Sequence, residues 1–208
     1  MCENIRMDSQ VMRGRIVLKD SIIEDGVITV EGQFISHICP ASDFSGELPE
    51  SSGSTFLPGL VDVHCHGGGG ESFPNATTPE AAMQAVMEHR RHGTTSLVAS
   101  CVTADADTLK ARARTLASLA EKDEIAGIHF EGPFVSHARC GAQDPTYIVD
   151  PDPDLTRELI DECKGYALSM TLAPEKPRAF GEGSVAEALI DGGAIPSWGH
   201  TDSNSTFA

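Results

Sequence analysis

Two histidines separated by a single residue stand at the end of an apolar stretch. The stretch begins at Phe56 and leads to His64, Cys65 and His66, after which four glycines follow. Because successive side chains along a β-strand alternate between its two faces, the histidines point to one side and Cys65 to the other. Two imidazoles on one face can bind a metal ion. The alternative is a buried strand end whose histidines are only hydrogen-bonded.

A carboxylate and a third histidine end two later strands of the predicted pattern. Glu131 follows the predicted strand 125–130, and His200 follows the predicted strand 194–198. In barrel enzymes the chemistry lies at the carboxyl ends of the strands, so both residues would share one mouth with His64 and His66. Three imidazoles and a carboxylate suit a zinc-like divalent ion with open positions for water and substrate. We therefore predict a metal site at this mouth.

Other polar residues near this set are weaker candidates. His129 precedes Glu131 by two residues on the same strand face, and is either a ligand, a neighbour of one, or a packed core histidine. Asp62 stands in the same relation to His64 and can accept a hydrogen bond from an imidazole N–H. Three further histidines are predicted to lie at the surface, on a helix end or in a loop: His89, His92 and His137.

The elements that must position these residues change character near residue 54. Short β-like runs separated by Asp-Gly and Glu-Gly turns occupy residues 15–36 and predict a small antiparallel sheet. Residues 40–54 are rich in Ser, Gly, Asp and Pro, as is typical of a linker. We therefore predict two domains: residues 1–54 form the small β domain with its linker, and residues 55–208 form part of a barrel.

From residue 55 onward strands and helices alternate. Thr78, Pro79 and an early acid mark the start of the first helix, and apolar residues recur at helical spacing along the second. Repeated crossovers of this kind make a parallel sheet with helices outside, either an open sheet or a (β/α)8 barrel. No GxGxxG turn follows a strand, which counts against the dinucleotide-binding open sheet. Because a barrel cannot close on the five strands counted, an incomplete (β/α)8 barrel and a truncated chain are predicted.

Composition excludes several classes of partner. With 31 acidic and 15 basic residues the formal charge is −16, the wrong sign for binding nucleic acid or an anionic membrane. No apolar window approaches the roughly 20 residues of a membrane span, and residues 1–10 lack the core of a signal peptide, so a cytoplasmic protein is expected. The six cysteines show no CxxC spacing, which favours reduced thiols.

A long polar segment follows Glu131 and continues to Asp154. A loop of this length at a barrel mouth is typical of a substrate lid, and a disordered insertion is the alternative. Cys140 within it has no local base, so it is not expected to act as a nucleophile. The absence of Ser-x-x-Lys and Gly-x-Ser-x-Gly motifs also gives a serine hydrolase little support.

Several motifs resemble the amidohydrolase superfamily. The run LPGLVDVHCHGG at residues 57–68 resembles the first barrel strand of that superfamily. Four further motifs narrow the resemblance to the N-acetylglucosamine-6-phosphate deacetylases: GIHFEGPF at 127–134, GAQDP at 141–145, TLAPE at 171–175 and GHTD at 199–202. The resemblance extends from about residue 13 to residue 208.

This resemblance implies an amino-sugar enzyme. Its reaction would be hydrolysis of the acetamide of N-acetylglucosamine 6-phosphate, giving glucosamine 6-phosphate and acetate, by a homodimer when full length. Glu131 and His200 would bind zinc, or alternatively iron, and the two first-strand histidines would complete a second or alternative metal position. Ala142 and Gln143 would meet the sugar, although many relatives carry histidine where Gln143 stands.

The family's catalytic aspartate and its remaining metal histidine follow later strands than this sequence holds. The resemblance therefore implies that no residue from 1 to 208 is the catalytic aspartate, and that this chain binds metal weakly without turnover.

Two other functions stay open. One is an amidohydrolase acting on a cyclic amide, as dihydroorotase does, although many such enzymes use a bridging modified lysine where this chain offers Glu131. The other is a scaffold relative that has lost the chemistry.

Overall fold

A computed structural model describes residues 9–204 of the chain. By their contacts the residues divide into two compact units, one ending at Gly59 and the other beginning at Leu60. The domain limits that the sequence suggests remain a prediction. Within the described residues, no helix is long and apolar enough to cross a membrane.

The first unit is a four-stranded sheet in the order β3-β2-β1-β4. Its strands are β1 (Ser9–Val17), β2 (Ile22–Glu31), β3 (Phe34–Pro40) and β4 (Thr55–Phe56). The first three strands pair antiparallel, as predicted, and the short β4 adds a parallel partner to β1. Gly32 has a φ of 61° in the Glu-Gly turn between β2 and β3, a left-handed conformation that glycine adopts without steric cost. A small core is formed by Val27 of β2, Cys39 of β3 and Ala41, which follows β3.

The second unit is built on five parallel strands in the order β11-β10-β9-β8-β5. Its elements in chain order are β5 (Leu60–Cys65), β6 (Gly67–Gly68), β7 (Glu71–Ser72), α1 (Pro79–Arg91), β8 (Thr94–Val102), α2 (Ala106–Ala120), β9 (Gly127–Glu131), α3 (Pro153–Glu162), β10 (Ala167–Leu172), α4 (Val185–Asp191) and β11 (Ile195–Trp198). The strands follow one another in sequence order and form a curved half-barrel. This confirms the predicted incomplete (β/α)8 barrel of five strands.

The helices carry the apolar faces that the sequence predicts. Thr78 caps α1, and its hydroxyl accepts a hydrogen bond from the Ala81 N–H at 3.3 Å. On α2 the inward residues are all fully buried: Leu109, Ala113, Leu116 and Ala120. They pack with sheet residues such as Ile128 and Phe130 in one continuous core, so the strands are covered on the helical side.

Two local features shape the carboxyl end of this sheet. The pairing of β5 with β8 shifts register between Asp62 and Cys65, where three steps along β5 match two along β8. Gly67 then has a φ of 139°, and a Cβ there would lie 2.3 Å from the Glu71 carbonyl oxygen. The glycine run therefore serves the tight β6–β7 hairpin that directly follows His66.

Candidate metal centre

The two first-strand histidines meet at the end of β5. Their Nε2 atoms lie 2.9 Å apart, and their rings are edge to face at 4.8 Å between centroids. Asp62 does not contact an imidazole N–H as we expected; its Oδ1 accepts the backbone N–H of His64 at 3.2 Å. The carboxylate therefore orders the strand end rather than a ring nitrogen.

Glu131 ends β9 and lies between the histidines of β5 and His200. Its Oε2 is 3.0 Å from His66 Nε2, while its Oε1 is 3.7 Å from His64 Nε2 and 2.9 Å from His200 Nε2. The structure thus brings together the four residues that the sequence proposes as ligands, although they come from three different strand ends. Their role as ligands stays a prediction.

His200 is oriented by the loop that follows β9. Its Nδ1 lies 2.7 Å from the Arg139 carbonyl oxygen, and its own carbonyl accepts the Ser136 N–H at 2.9 Å. A carbonyl oxygen can only accept, so Nδ1 carries the proton and Nε2 of a neutral ring has a free lone pair. Arg139 also forms an ion pair with Asp202 at 2.8 Å. The third histidine is therefore fixed with Nε2 facing the carboxylate.

Electrostatics keep the carboxylate ionised. The hydrogen bond with His66 has the largest effect on the pKa of Glu131 and lowers it. Burial raises this pKa, and the contact with His200 lowers it further, so that the pKa of Glu131 falls to about 2. The same contact with Glu131 raises the pKa of His66 despite partial burial. Near neutral pH Glu131 is therefore ionised, and its carboxylate lies among three imidazoles.

This donor set fits a divalent cation. His64, His66 and Glu131 present ligand atoms that all lie within 4.8 Å of one another. Two nitrogens bound to one zinc at about 2.0–2.1 Å would be about 2.9 Å apart at a right angle and about 3.3 Å apart at the tetrahedral angle. The observed 2.9 Å between the two Nε2 atoms matches the right-angle value. In neutral His200 the lone pair of Nε2 faces Glu131 Oε1, which is also an acceptor. These two atoms therefore need a proton or a cation between them.

Gln143 holds the Glu131 carboxylate in place through a hydrogen bond. Its amide N–H donates to Glu131 Oε2 at 2.8 Å, and its Oε1 accepts the Thr103 N–H at 2.8 Å. The Thr103 hydroxyl donates in turn to the Glu131 carbonyl at 3.3 Å, and the Gln143 side chain is buried. Ala142 beside it is exposed. Thr103 was not among the residues singled out from the sequence, because its role depends on how the loop after β9 folds back.

His129 is a packed core histidine. It is 3% exposed, and each ring nitrogen lies 2.9 Å from a hydroxyl, Nδ1 from Ser100 and Nε2 from Thr171. Burial is the main cause that lowers its pKa to about 4, and the neighbouring His64 adds to this effect. Ser100 also accepts the Cys65 N–H at 3.1 Å, so its hydroxyl links β5 to β9.

The surface prediction holds for two histidines and is wrong for the third. His92 and His137 are exposed. His89 is half-buried, because it continues the buried face of α1 that includes Ala85 and Val86, and its Nε2 lies 3.0 Å from the Gly67 carbonyl oxygen and 3.1 Å from Cys65 Sγ. Its helical spacing from these apolar residues is the signal that could have placed it inward.

Comparisons with known proteins identify relatives of this chain. The model of the amidohydrolase family matches residues 55–191. The N-acetylglucosamine-6-phosphate deacetylase of Bacillus subtilis is 33% identical over 92% of this chain and 50% of its own length. The N-acetylgalactosamine-6-phosphate deacetylase of a Shewanella strain is 30% identical over 88% of this chain and 45% of its own. The chain thus spans about half the length of the curated relatives it matches.

Solved structures that are similar to this chain are also amino-sugar-phosphate deacetylases. The crystal structure of an N-acetyl-D-glucosamine-6-phosphate deacetylase from Mycobacterium smegmatis superposes with a TM-score of 0.79 at 31% identity, covering 93% of this chain and 50% of that one. A mutant of that enzyme in complex with N-acetyl-D-glucosamine-6-phosphate superposes equally well, at 94% and 50% coverage. The enzyme from Pasteurella multocida, at 22% identity and a TM-score of 0.78, supports the fold alone.

Proposed function

The chain belongs to the amidohydrolase family, and on that premise we propose that it carries the metal-binding part of an amino-sugar-phosphate deacetylase. The substrate is N-acetylglucosamine 6-phosphate, and the products are glucosamine 6-phosphate and acetate. The observation that carries this proposal is the Glu131 carboxylate, which lies within 3.7 Å of imidazole nitrogens from two other strand ends. The substrates named for the relatives support the choice of sugar.

The ion is a divalent metal held by His64, His66, Glu131 and His200, with zinc as the first choice and iron as the second. The imidazole and carboxylate ligands suit either metal, and the chain can hold one ion or two. When bound, the metal polarises the acetamide carbonyl and lowers the pKa of a water from about 15.7 toward 7.

The protein's own part is to present lone pairs in fixed directions. The Arg139 carbonyl holds the His200 proton on Nδ1, and Gln143 bonds one carboxylate oxygen of Glu131. These contacts set the orientation of the ligands before an ion binds. Because Glu131 is committed as a ligand, it is not the group that takes the proton from water. We assign that role to an aspartate outside residues 1–208, as the family resemblance implies.

Metal analysis tests the site directly. The purified chain is brought to dialysis equilibrium with a known Zn²⁺ concentration, so that weakly bound metal is retained, and bound zinc is measured by inductively coupled plasma mass spectrometry. We expect bound zinc that falls by at least one equivalent in Glu131→Gln, whereas Glu124→Gln, a carboxylate that pairs with Arg90 and not with the histidines of the site, leaves it unchanged. Equal zinc content in all three proteins would refute the assignment and favour a scaffold.

Activity requires the other half of a barrel. We propose combining this chain with the part of the Bacillus subtilis relative that it does not cover, and assaying acetate release from N-acetylglucosamine 6-phosphate. Acetate release that is lost with Glu131→Gln supports the proposal. Ring opening of dihydroorotate without acetate release would favour the cyclic-amide alternative instead.

A further inference from the structure

A second group of metal-binding side chains lies beside β5, and it shares no residue with the site above. Asp62, Cys65 and His89 present a carboxylate oxygen, a thiol sulfur and an imidazole nitrogen, all within 4.8 Å of one another. Cys65 is 5% exposed, and the other two are half-buried. The set combines a soft thiol with nitrogen and oxygen donors, which is the ligand chemistry of zinc and related ions.

The fold assembles this group through two features. In a regular strand, positions 62 and 65 would face opposite sides. The register shift between them adds one residue to β5, and such a bulge re-aims the side chains around it. His89 comes from the last turn of α1, on the helix face that also buries Ala85 and Val86. The three ligands thus meet only because α1 packs beside the irregular end of β5.

The carbonyl oxygen of Gly67 adds a fourth donor beside Cys65 and His89. It lies 3.0 Å from His89 Nε2 and 3.7 Å from Cys65 Sγ, while Sγ and Nε2 are 3.1 Å apart. From zinc bond lengths of about 2.0–2.3 Å, the edges of a tetrahedral site are about 3.3 Å for nitrogen to oxygen and about 3.6 Å for sulfur to either. These three edges differ from the ideal values by about 0.3 Å for nitrogen to oxygen, about 0.1 Å for sulfur to oxygen and about 0.5 Å for sulfur to nitrogen.

We propose that Asp62, Cys65, His89 and the Gly67 carbonyl form a second site for a divalent cation that accepts sulfur, such as Zn²⁺, Co²⁺ or Cd²⁺. Binding releases the thiol proton to solvent, and the neutral His89 ring changes tautomer so that its proton lies on Nδ1 and Nε2 is free to bind the ion. Because His64 lies on β5 and His66 directly follows it, the ion would join the end of this strand to α1 next to the first site. The proposal does not depend on the deacetylase function.

Cobalt tests the site because a thiolate bound to Co²⁺ gives a near-ultraviolet charge-transfer band, whereas the site at Glu131 holds no sulfur. The reduced chain is titrated with Co²⁺, and the same titration is run on Cys65→Ser, His89→Gln and Cys140→Ser. We expect the band in the unchanged chain and in Cys140→Ser, where a thiol outside the cluster is lost. Cys65→Ser abolishes the band, and His89→Gln weakens cobalt affinity at least about tenfold, since one of four ligands is lost.

A measurement that keeps Cys65 covers the case in which Cys65→Ser does not fold. X-ray absorption at the cobalt edge in Glu131→Gln, where the first site is disabled, then reports the ligands of the remaining ion. We expect one sulfur at about 2.3 Å together with nitrogen and oxygen. A shell of nitrogen and oxygen alone, or a charge-transfer band that survives in folded Cys65→Ser, overturns the proposal.

Discussion

The sharpest test of the Glu131 environment is the substitution Gln143→Met. Methionine has nearly the length of glutamine and a flexible thioether, so it fills the same buried space without leaving a large cavity. It removes two hydrogen bonds of 2.8 Å, one to Glu131 Oε2 and one from the Thr103 N–H. The perturbation is therefore the loss of polar contacts at nearly constant volume.

The magnitude follows from these two bonds. A hydrogen bond to a charged group contributes about 1.5–3 kcal/mol, and a buried N–H left without a partner costs about 1–3 kcal/mol. Thr103 is 4% exposed, so water cannot readily replace the lost acceptor. Because the Glu131 carboxylate keeps its contacts with His66 and His200, we take the lower part of the combined range. We expect Gln143→Met to lower the free energy of unfolding by about 3 kcal/mol.

Urea denaturation of the metal-free chain at pH 7 measures this loss, provided that the dependence on urea concentration is unchanged. The matched control is Gln84→Met on the exposed face of α1, where the glutamine donates to the Gly69 carbonyl at 2.8 Å. We expect that control to change the unfolding free energy by about 0.5 kcal/mol or less. A similarly small effect of Gln143→Met would show that the amide does not support the carboxylate.

Three further outcomes are expected. Gly132→Ala should destabilise by more than about 1 kcal/mol in urea denaturation, because φ is 90° there and a Cβ would lie 2.2 Å from the Thr103 hydroxyl; an unchanged midpoint would contradict this. Leu116→Ala should cost about 2–5 kcal/mol in the same assay, since Leu116 is 1% exposed, and a loss below 1 kcal/mol would refute its place in the core. Partial burial acts to raise the pKa of Glu175, but hydrogen bonds, chiefly from Thr201, lower it overall. The unchanged protein should thus be more stable than Glu175→Gln above the unfolded pKa of about 4.3, and this difference in unfolding free energy should disappear as the pH falls through the lower folded pKa. A difference in unfolding free energy that does not depend on pH would be inconsistent with this.

Regular features of the barrel followed from local patterns. The threonine and proline at the start of α1 and the apolar spacing of α2 predicted helices that the structure contains. Parallel strands joined by such helices must end at one edge, so the convergence of Glu131 and His200 with the β5 histidines could be expected from chain order alone. These arguments succeed because each depends on neighbouring residues or on a general rule of chain connection.

Features that depend on distant contacts did not follow from the sequence. The register shift at Asp62 is set by how β5 pairs with β8, and the position of His89 depends on how α1 packs beside that shift. Gln143 was expected to meet the sugar on the basis of resemblance, and its contact with Glu131 depends on the fold of a long loop. Neither hydropathy nor residue spacing encodes such pairings between elements.

The bonds between the loop after β9 and the segment after β11 have a mechanical consequence. Ser136 and Arg139 hold His200 at its carbonyl and at its ring, and Arg139 also holds Asp202. A swing of this loop away from the barrel mouth would therefore pull the third imidazole with it or release its proton-bearing nitrogen. Opening of the loop and weaker binding of an ion would then be coupled, while Glu131 remains in place on β9.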